Sequence, residues 1–425
     1  MAAALTQERG FDYSINLIIA RLQLMENRVK QMDDRKFNTF NTQAVHAGES
    51  REKYADSLTT PIFQTSTYTF KDSKEIEAYT KQNKARFEYG RYGNPTELIA
   101  EKRLAALENA EDCVLFASGM MAITTTILAL VHSGDHIIIT DDCYKKTLEF
   151  CESYLKRFGI ECTIVPFGDY ELLEASIKAN TVFIFSESPT NPYLNVFDLE
   201  KFSDIGKRHN VLTFIDSTFA TPVNQRPLEF GIDLVMHSAT KYLAGHNDIL
   251  AGAVLGNAEQ IKRIRSLHKS MGGLIDANCA YLLLRGLKTF PLRVKVQNDA
   301  TLKIARYLEA HPKVDKVHYP FLESHPHYDI AKAQMAGGGG VTSFEIKGDL
   351  DAAKRFMDSL EMIYIAPSLG GVETLITHPA LVSYYDYSRE ERYKLGIVDT
   401  LFRLAVGIED ADEIIADLEK GFAKL

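Results

Sequence analysis

The sequence predicts an α/β protein, with a large domain on a seven-stranded, mostly parallel sheet and then a smaller C-terminal α+β domain. Three observations carry this. Between Glu97 and about Gly256, short β-branched runs alternate with stretches whose apolar residues recur at three- and four-residue spacing. Polar clusters follow directly on several of these runs, as ligand-binding turns do at the carboxyl ends of parallel strands. Beyond Pro291 the alternation loosens into a different succession of strands and helices. A length of 425 residues gives a prior of roughly two to three domains.

Residues 1–39 hold Glu8, Asp12, Glu26, Asp33 and Asp34 and no signal-type apolar core, so they read as an amphipathic arm that stays on the protein. The strand-like runs are Val114–Phe116, His136–Thr140, Cys162–Val165, Val182–Ser186, Leu212–Asp216, Leu234–His237 and Ala253–Leu255. Thr96–Asn109, Met120–His132, Lys145–Phe158, Leu172–Lys178 and Leu199–Arg208 supply helices between them. Pro291, inside a helical stretch from Ala280 to His311, predicts a kink where one domain hands over to the next. Val341–Ile346, a helix near Leu350–Leu360, strands near Ile363–Ala366 and Phe402–Val406, and a helix near Ala411–Phe422 build the smaller domain. The run Gly337–Gly340 lacks a following Lys-Ser/Thr, so it reads as a flexible lead into a strand rather than a phosphate loop.

Composition narrows the function classes. Forty-eight Lys plus Arg against fifty-seven Asp plus Glu give a net charge of −9, which argues against nucleic acid as a partner. The apolar stretch Ile123–Val131 is too short for a membrane span. The five cysteines, Cys113, Cys143, Cys151, Cys162 and Cys279, have no C-x-x-C spacing and read as reduced, mostly buried residues of a cytoplasmic chain. No metal-ligand pattern stands out.

The chemistry lies in the strand-end clusters. After Val114–Phe116 comes Ala117-Ser118-Gly119-Met120, a small turn opening a helix whose free N–H groups could hold a phosphate. After Val182–Ser186 comes Glu187-Ser188-Pro189-Thr190-Asn191-Pro192, and after Leu212–Ile215 comes Asp216-Ser217-Thr218-Phe219-Ala220-Thr221-Pro222. Asp216 reads equally as a cap or as a carboxylate delivered into a pocket. His237-Ser238-Ala239-Thr240-Lys241-Tyr242 sets a lysine between hydroxyls, a candidate Schiff-base former if it is desolvated. Pyridoxal phosphate asks for such a lysine, an acid for its ring nitrogen, phosphate donors and an aromatic face. Lys241, Asp216, the set Gly119, Met120, Ser238 and Thr240, and Tyr144 answer these needs in turn.

With these parts assembled, the chain resembles the cysteine and methionine metabolism family of pyridoxal-phosphate enzymes, the cystathionine synthases and lyases of the aminotransferase-like fold, from about Asn41 to Leu425. The motifs are Tyr89-Gly90-Arg91-Tyr92-Gly93-Asn94-Pro95-Thr96, Ala117–Met120, Glu187–Pro192, Asp216–Pro222, His237–Asp248, Ser368-Leu369-Gly370-Gly371 and Arg403–Glu409. Within the family it is most similar to the plant-type cystathionine γ-synthases, through Phe87–Tyr92, Asp142–Thr147 and Ser383-Tyr384-Tyr385-Asp386. The resemblance implies that Lys241 holds the cofactor and shuttles protons, that Asp216 pairs with the ring nitrogen, and that Tyr144 stacks on the ring and transfers protons. It implies phosphate ligands at Gly119, Met120, Ser238 and Thr240, with Tyr89 and Arg91 reaching across from a neighbouring subunit. Asn191, which also counts among the cofactor contacts, Ser368 and Arg403 would hold the substrate.

The expected division is an arm over 1–91, a cofactor-binding domain over 92–288 and a small domain over 289–425, in a homotetramer made as a dimer of dimers. Many relatives carry two glycines where this chain has Lys145 and Lys146, and an acidic residue where it has Pro367; many lyases have Thr-His in the segment Ser383-Tyr384-Tyr385. All three departures follow the plant-type synthases. The implied reaction is γ-replacement of an activated homoserine ester by cysteine, giving cystathionine. The alternatives are γ-elimination, sulfide as the nucleophile, and a pyridoxal-phosphate binder that has lost catalysis. Lys71, Arg86, Lys145 and Lys146 are the basic residues near the expected pocket mouth, each a solvated charge or a ligand for an anionic leaving group.

Overall fold

Residues 37–81 and 86–425 are those the computed structural model describes. The arm expected over 1–39 therefore lies, up to residue 36, outside the described residues.

Period-two side-chain alternation dictates two cores on one sheet. Among the described residues seven strands pair in the order β1-β7-β6-β5-β4-β2-β3: β1 (Asp112–Phe116), β2 (His136–Thr140), β3 (Glu161–Val165), β4 (Thr181–Glu187), β5 (Leu212–Asp216), β6 (Leu234–His237) and β7 (Gly252–Gly256). Only β7 runs against its neighbours. Val114, Phe116, Ile137, Ile139, Phe183, Phe185 and Phe214 enter one cluster with Ile123, Ile127, Ile261 and Ile264 from the helices Gly119–Leu130 and Ala258–Met271. Ile138, Ile184, Ile215 and Val235, one residue on, pack against Leu199, Phe202 and Ile205 of the helix Leu199–His209 on the opposite face. The central strands are apolar on both sides because each side is covered, whereas the edge strand β3 stays partly exposed.

A second sheet, β10-β11-β12-β9-β8, follows in the C-terminal region. Its strands are β8 (Val314–His318), β9 (Val341–Ile346), β10 (Tyr364–Ile365), β11 (Leu375–Thr377) and β12 (Leu401–Ala405). The helices Phe290–Ala310, Leu350–Asp358 and Ala411–Phe422 give Ile304, Leu308, Phe356, Leu418 and Phe422 to its core.

Three expectations are corrected. Pro291 lies in the first turn of the helix Phe290–Ala310, which follows a separate helix Ala277–Leu287, so it starts a helix instead of bending one; a proline there forfeits no hydrogen bond. The stretch Lys145–Phe158 is an α-turn, then a π-turn over Phe150–Tyr154 and a 3₁₀ turn over Leu155–Phe158. Gly337–Gly340 leads directly into β9 as expected, but it is buried and packed, not a flexible lead. A Cβ on Gly338 would come within 2.5 Å of the Tyr319 ring, so close packing accounts for at least that glycine.

Candidate active site

The carboxyl ends of β2, β4, β5 and β6 open into a cleft of about 1180 Å³, closed from the other side by residues of the second sheet. Ten of the residues singled out in the sequence line it, namely Gly119, Met120, Tyr144, Asn191, Asp216, Ser238, Thr240, Lys241, Ser368 and Arg403. Tyr89 and Arg91 do not line it. Arg91 instead donates to the Lys269 carbonyl at 2.6 Å and lies over the Tyr92 ring.

Lys241 follows β6 in a turn whose backbone closes from the Lys241 N–H to the Ser238 carbonyl. Its Nζ donates to Ser368 Oγ at 2.8 Å. Burial, helped by the charge of Arg403, lowers its amine from the ordinary lysine range to about 8. A substantial share of neutral amine at physiological pH follows.

Asp216 ends β5 and is 8% exposed. Its Oδ1 accepts from the Thr218 N–H at 3.0 Å and from the Thr218 hydroxyl at 2.5 Å. Burial pushes this carboxyl up, while those two donors and His237 pull it back. The Thr218 hydroxyl also accepts from the Ser238 N–H at 2.8 Å, tying the Asp216 turn to the Lys241 turn.

At the end of β1, Ser118 caps the helix Gly119–Leu130 by accepting from the Met121 N–H. The N–H groups of Gly119 and Met120 belong to the first turn, where no helical acceptor exists. Space decides the residue types here. A Cβ on Gly119 would meet Ser238 Cβ at 3.1 Å, and one on Gly252 would meet the Ser118 carbonyl oxygen at 2.2 Å. The Thr240 hydroxyl is turned to Ala251, donating to its carbonyl and accepting from its N–H.

Arg403, in the middle of β12, is 9% exposed. One terminal nitrogen donates to Asn191 Oδ1 at 3.0 Å and the other to the Ser368 carbonyl at 2.9 Å. Among the described residues its Nε is buried without a partner. Burial lowers this guanidinium to about 10, against the opposing pull of Tyr242, Glu187 and Tyr144. Ser368 holds φ at 141°, a region that ordinarily belongs to glycine, between the Arg403 and Lys241 contacts.

Reading the sequence left several cleft residues without a role. Asn247, Leu250, Tyr364, Ile365, Glu373 and Thr377 line the cleft, and so does Glu187, whose Oε2 accepts the Tyr144 N–H at 2.9 Å. Glu187 ends β4 as Asp216 ends β5, and that shared strand-end position is the signal that could have found it. The four basic candidates differ. Lys145 pairs with Asp386 at 2.7 Å, Lys146 with Glu149 at 2.6 Å and Arg86 with Glu75 at 2.8 Å, while the Lys71 side chain is exposed.

This sheet order, with a desolvated lysine, a buried carboxylate and a capped helix N-terminus at the strand ends, defines an enzyme of the pyridoxal-phosphate-dependent α/β class. The chain belongs to the Cys/Met metabolism PLP-dependent enzyme family, whose model matches residues 41–423. It is 48% identical to the chloroplastic cystathionine gamma-synthase 1 of Arabidopsis thaliana, over 88% of this chain and 67% of that protein. With the L-methionine gamma-lyase of Fusobacterium nucleatum subsp. nucleatum it shares 41% identity over 92% of this chain and 99% of that one. Its fold matches the crystal structure of cystathionine gamma-lyase from Lactobacillus plantarum complexed with L-serine at a TM-score of 0.83 and 37% identity, over 91% of this chain and 99% of the other. Among the described residues no helix is long and apolar enough to cross a membrane, and no group of His, Cys, Asp and Glu is arranged to hold a metal ion.

Proposed function

We propose that the chain is a cystathionine γ-synthase, which replaces the γ-substituent of an activated homoserine ester with the sulfur of cysteine to give cystathionine. The observation that carries this reading is the single cleft in which Lys241, Asp216, Tyr144 and Arg403 meet from four separate parts of the chain. The family assignment and the plant relative support it.

The residues fit pyridoxal phosphate. The space that a Cβ on Gly119 would fill, beside the Ser238 hydroxyl and the free N–H groups of Gly119 and Met120, suits a phosphate. Lys241 would anchor the aldehyde, and Asp216 would hold the proton on the ring nitrogen. Bound there, the cofactor supplies an electron sink conjugated to the substrate's α-carbon.

The chain's own residues do the rest. Arg403, with Nε still unpartnered and Asn191 and Ser368 bracing its fork, would clamp the α-carboxylate. Lys241 Nζ, deprotonating around pH 8, would take the proton at Cα and then one at Cβ as the γ-substituent leaves, and would return protons to Cβ and Cα once the cysteine sulfur has bonded to Cγ. Tyr144 would lie against the ring and move protons through its hydroxyl.

We further divide the chain as an arm over 1–91, a cofactor-binding domain over 92–288 and a small domain over 289–425. Tyr89 and Arg91, which lie outside their own cleft, would complete a neighbour's site in a dimer-based tetramer. The free cysteines support a reducing, cytoplasmic setting; plastid import of a fluorescent fusion would overturn that placement.

The function is tested by adding acetyl-, succinyl- and phosphohomoserine separately to enzyme loaded with pyridoxal phosphate. Release of acetate, succinate or phosphate from at least one ester, with cystathionine formed when cysteine is present, supports the reading. Release from none, with thiol amino acids cleaved instead, would favour a lyase that does not act on esters.

A further inference from the structure

Glu187 has no part in the reading above, yet it sits at the floor of the same cleft. It is 4% exposed and is the last residue of β4. In the parallel ladder it pairs with Asp216 of β5, and paired residues of adjacent strands present their side chains on the same face. Two carboxyls therefore stand side by side in a buried place. A third, Asp142, follows β2.

We propose that Glu187 is a positioning residue for this site, a neutral carboxylic acid that fixes the Tyr144 turn and leaves Asp216 as the single negative charge beside the cofactor's ring nitrogen. This rests on the cofactor reading given above and adds a role for a residue that reading leaves idle.

The donors around each carboxyl decide where the proton goes. Asp216 receives two hydrogen bonds, from the Thr218 N–H and hydroxyl, and also faces His237. Asp142 receives two, from the Thr190 hydroxyl at 2.5 Å and from Asn195 Nδ2 at 2.9 Å. Glu187 receives one, from the Tyr144 N–H. Charge stays where donors favour it, and neighbouring carboxyls in a dry site cannot all ionise.

The other groups facing Glu187 do not reverse this. Arg403 is the cation that pulls its carboxyl down, and that guanidinium already braces Asn191 and Ser368. Cys143, Tyr144 and Tyr384 add no positive charge. Burial first, and then the charges of Asp216 and Asp142, hold the Glu187 carboxyl well above the usual carboxylate range.

The structural consequence falls on Tyr144. This residue sits at the N-cap of the short helix Lys145–Glu149, and its side chain is 47% exposed. The bond to Glu187 ties its backbone to the floor of the sheet. Among the described residues the other oxygen, Oε1, makes no hydrogen bond, so it is the oxygen that would carry the proton of the neutral acid.

The test uses the full-length enzyme with the variants Glu187→Gln and Glu187→Ala, Gln being the isosteric stand-in for a neutral acid. At neutral pH the infrared spectrum of the wild type should contain the carbonyl stretch of a buried protonated carboxyl, and Glu187→Gln should lose it. Glu187→Gln should keep kcat within about threefold of the wild type, and Glu187→Ala should lose about tenfold or more in kcat with little change in KM, because the Tyr144 N–H is left unpaired. Pyridoxal phosphate titrated into the apoproteins should saturate wild type and Glu187→Gln at similar concentrations and Glu187→Ala at higher ones.

Equal damage in both variants would mean that a charged carboxylate is needed and would overturn the proposal. So would two undamaged variants, or a wild type without the carboxyl band. Melting curves keep the alanine comparison honest, and if that variant does not fold, the band and the Glu187→Gln kinetics decide alone. A wild type that takes up no pyridoxal phosphate would instead remove the cofactor reading itself.

Discussion

Lys241 and Arg403 are ordinary residue types made unusual by burial. With its amine lowered to about 8 by desolvation and then by Arg403, the neutral, nucleophilic fraction of Lys241 reaches about half near pH 8 and is nearly complete about one unit higher. Capture of pyridoxal phosphate by the apoprotein should therefore speed up from pH 6 through about 8 and level off at about 9, as stopped-flow absorbance can follow; a rate still climbing at pH 10 would point to an unperturbed lysine. Lys241→Ala should lose the near-visible band of bound cofactor and all turnover. Arg403→Lys keeps the charge but not the fork that Asn191 and Ser368 brace, so KM for the ester should rise about tenfold or more; an unchanged KM would place the α-carboxylate elsewhere. These residues were legible in the sequence because each follows or interrupts an apolar strand where a charge needs a reason. Glu187, although it follows a strand as Asp216 does, was given no role, because a strand-end carboxylate reads equally as a turn residue until the register pairs it with Asp216.

Elements with a covered apolar face were read almost residue for residue. His136–Thr140, Leu212–Asp216, Leu234–His237 and Val341–Ile346 have the expected bounds. β8 escaped notice because Asp315 and Lys316 are exposed and the register slips between Val314 and Lys316, so its pattern is not an alternation. β10 shrank to Tyr364–Ile365, an exposed edge with little apolar burial to extend it. At this scale Gly252 is the sharpest test. Adding a Cβ there puts it 2.2 Å from the Ser118 carbonyl oxygen, which must move the N-terminus of the helix Gly119–Leu130. Gly252→Ala should weaken pyridoxal phosphate binding about tenfold or more in an equilibrium titration; normal affinity would show that the helix end does not hold the phosphate. A second element-scale contact joins the Tyr144 helix to the segment Ser383–Tyr387. Lys145 Nζ bonds both Asp386 oxygens and the Ser383 carbonyl and lies 4.4 Å from the Tyr387 ring centre. The pair is exposed on the Asp386 side, so Asp386→Asn should leave the melting temperature nearly unchanged. Because Ser383 lines the cleft, the same change should make KM for a charged ester depend less on salt; an unchanged salt dependence would confine this contact to a surface role.

At the scale of the whole molecule, one chain brings together ten of the residues expected at the site and leaves out Tyr89 and Arg91. If those two serve a neighbour, inactive Lys241→Ala and weakened Arg91→Ala proteins should form active hybrids on subunit exchange, since one intact site is regenerated. Proven exchange without rescue would mean that each site is built from one chain. No pattern in a single sequence reports such a crossing, because hydrophobic periodicity speaks only of burial within the fold. The central claim concerns what happens after the leaving group departs, when cysteine and water compete for the same carbon. The most direct measurement is the ratio of cystathionine to 2-oxobutanoate formed from the best homoserine ester as cysteine is raised to saturation. A synthase should convert nearly all of the ester to cystathionine, with 2-oxobutanoate suppressed in step with cysteine; a ratio that stays low at saturating cysteine, with 2-oxobutanoate and ammonia as the main products, would contradict the account and make the enzyme a γ-lyase.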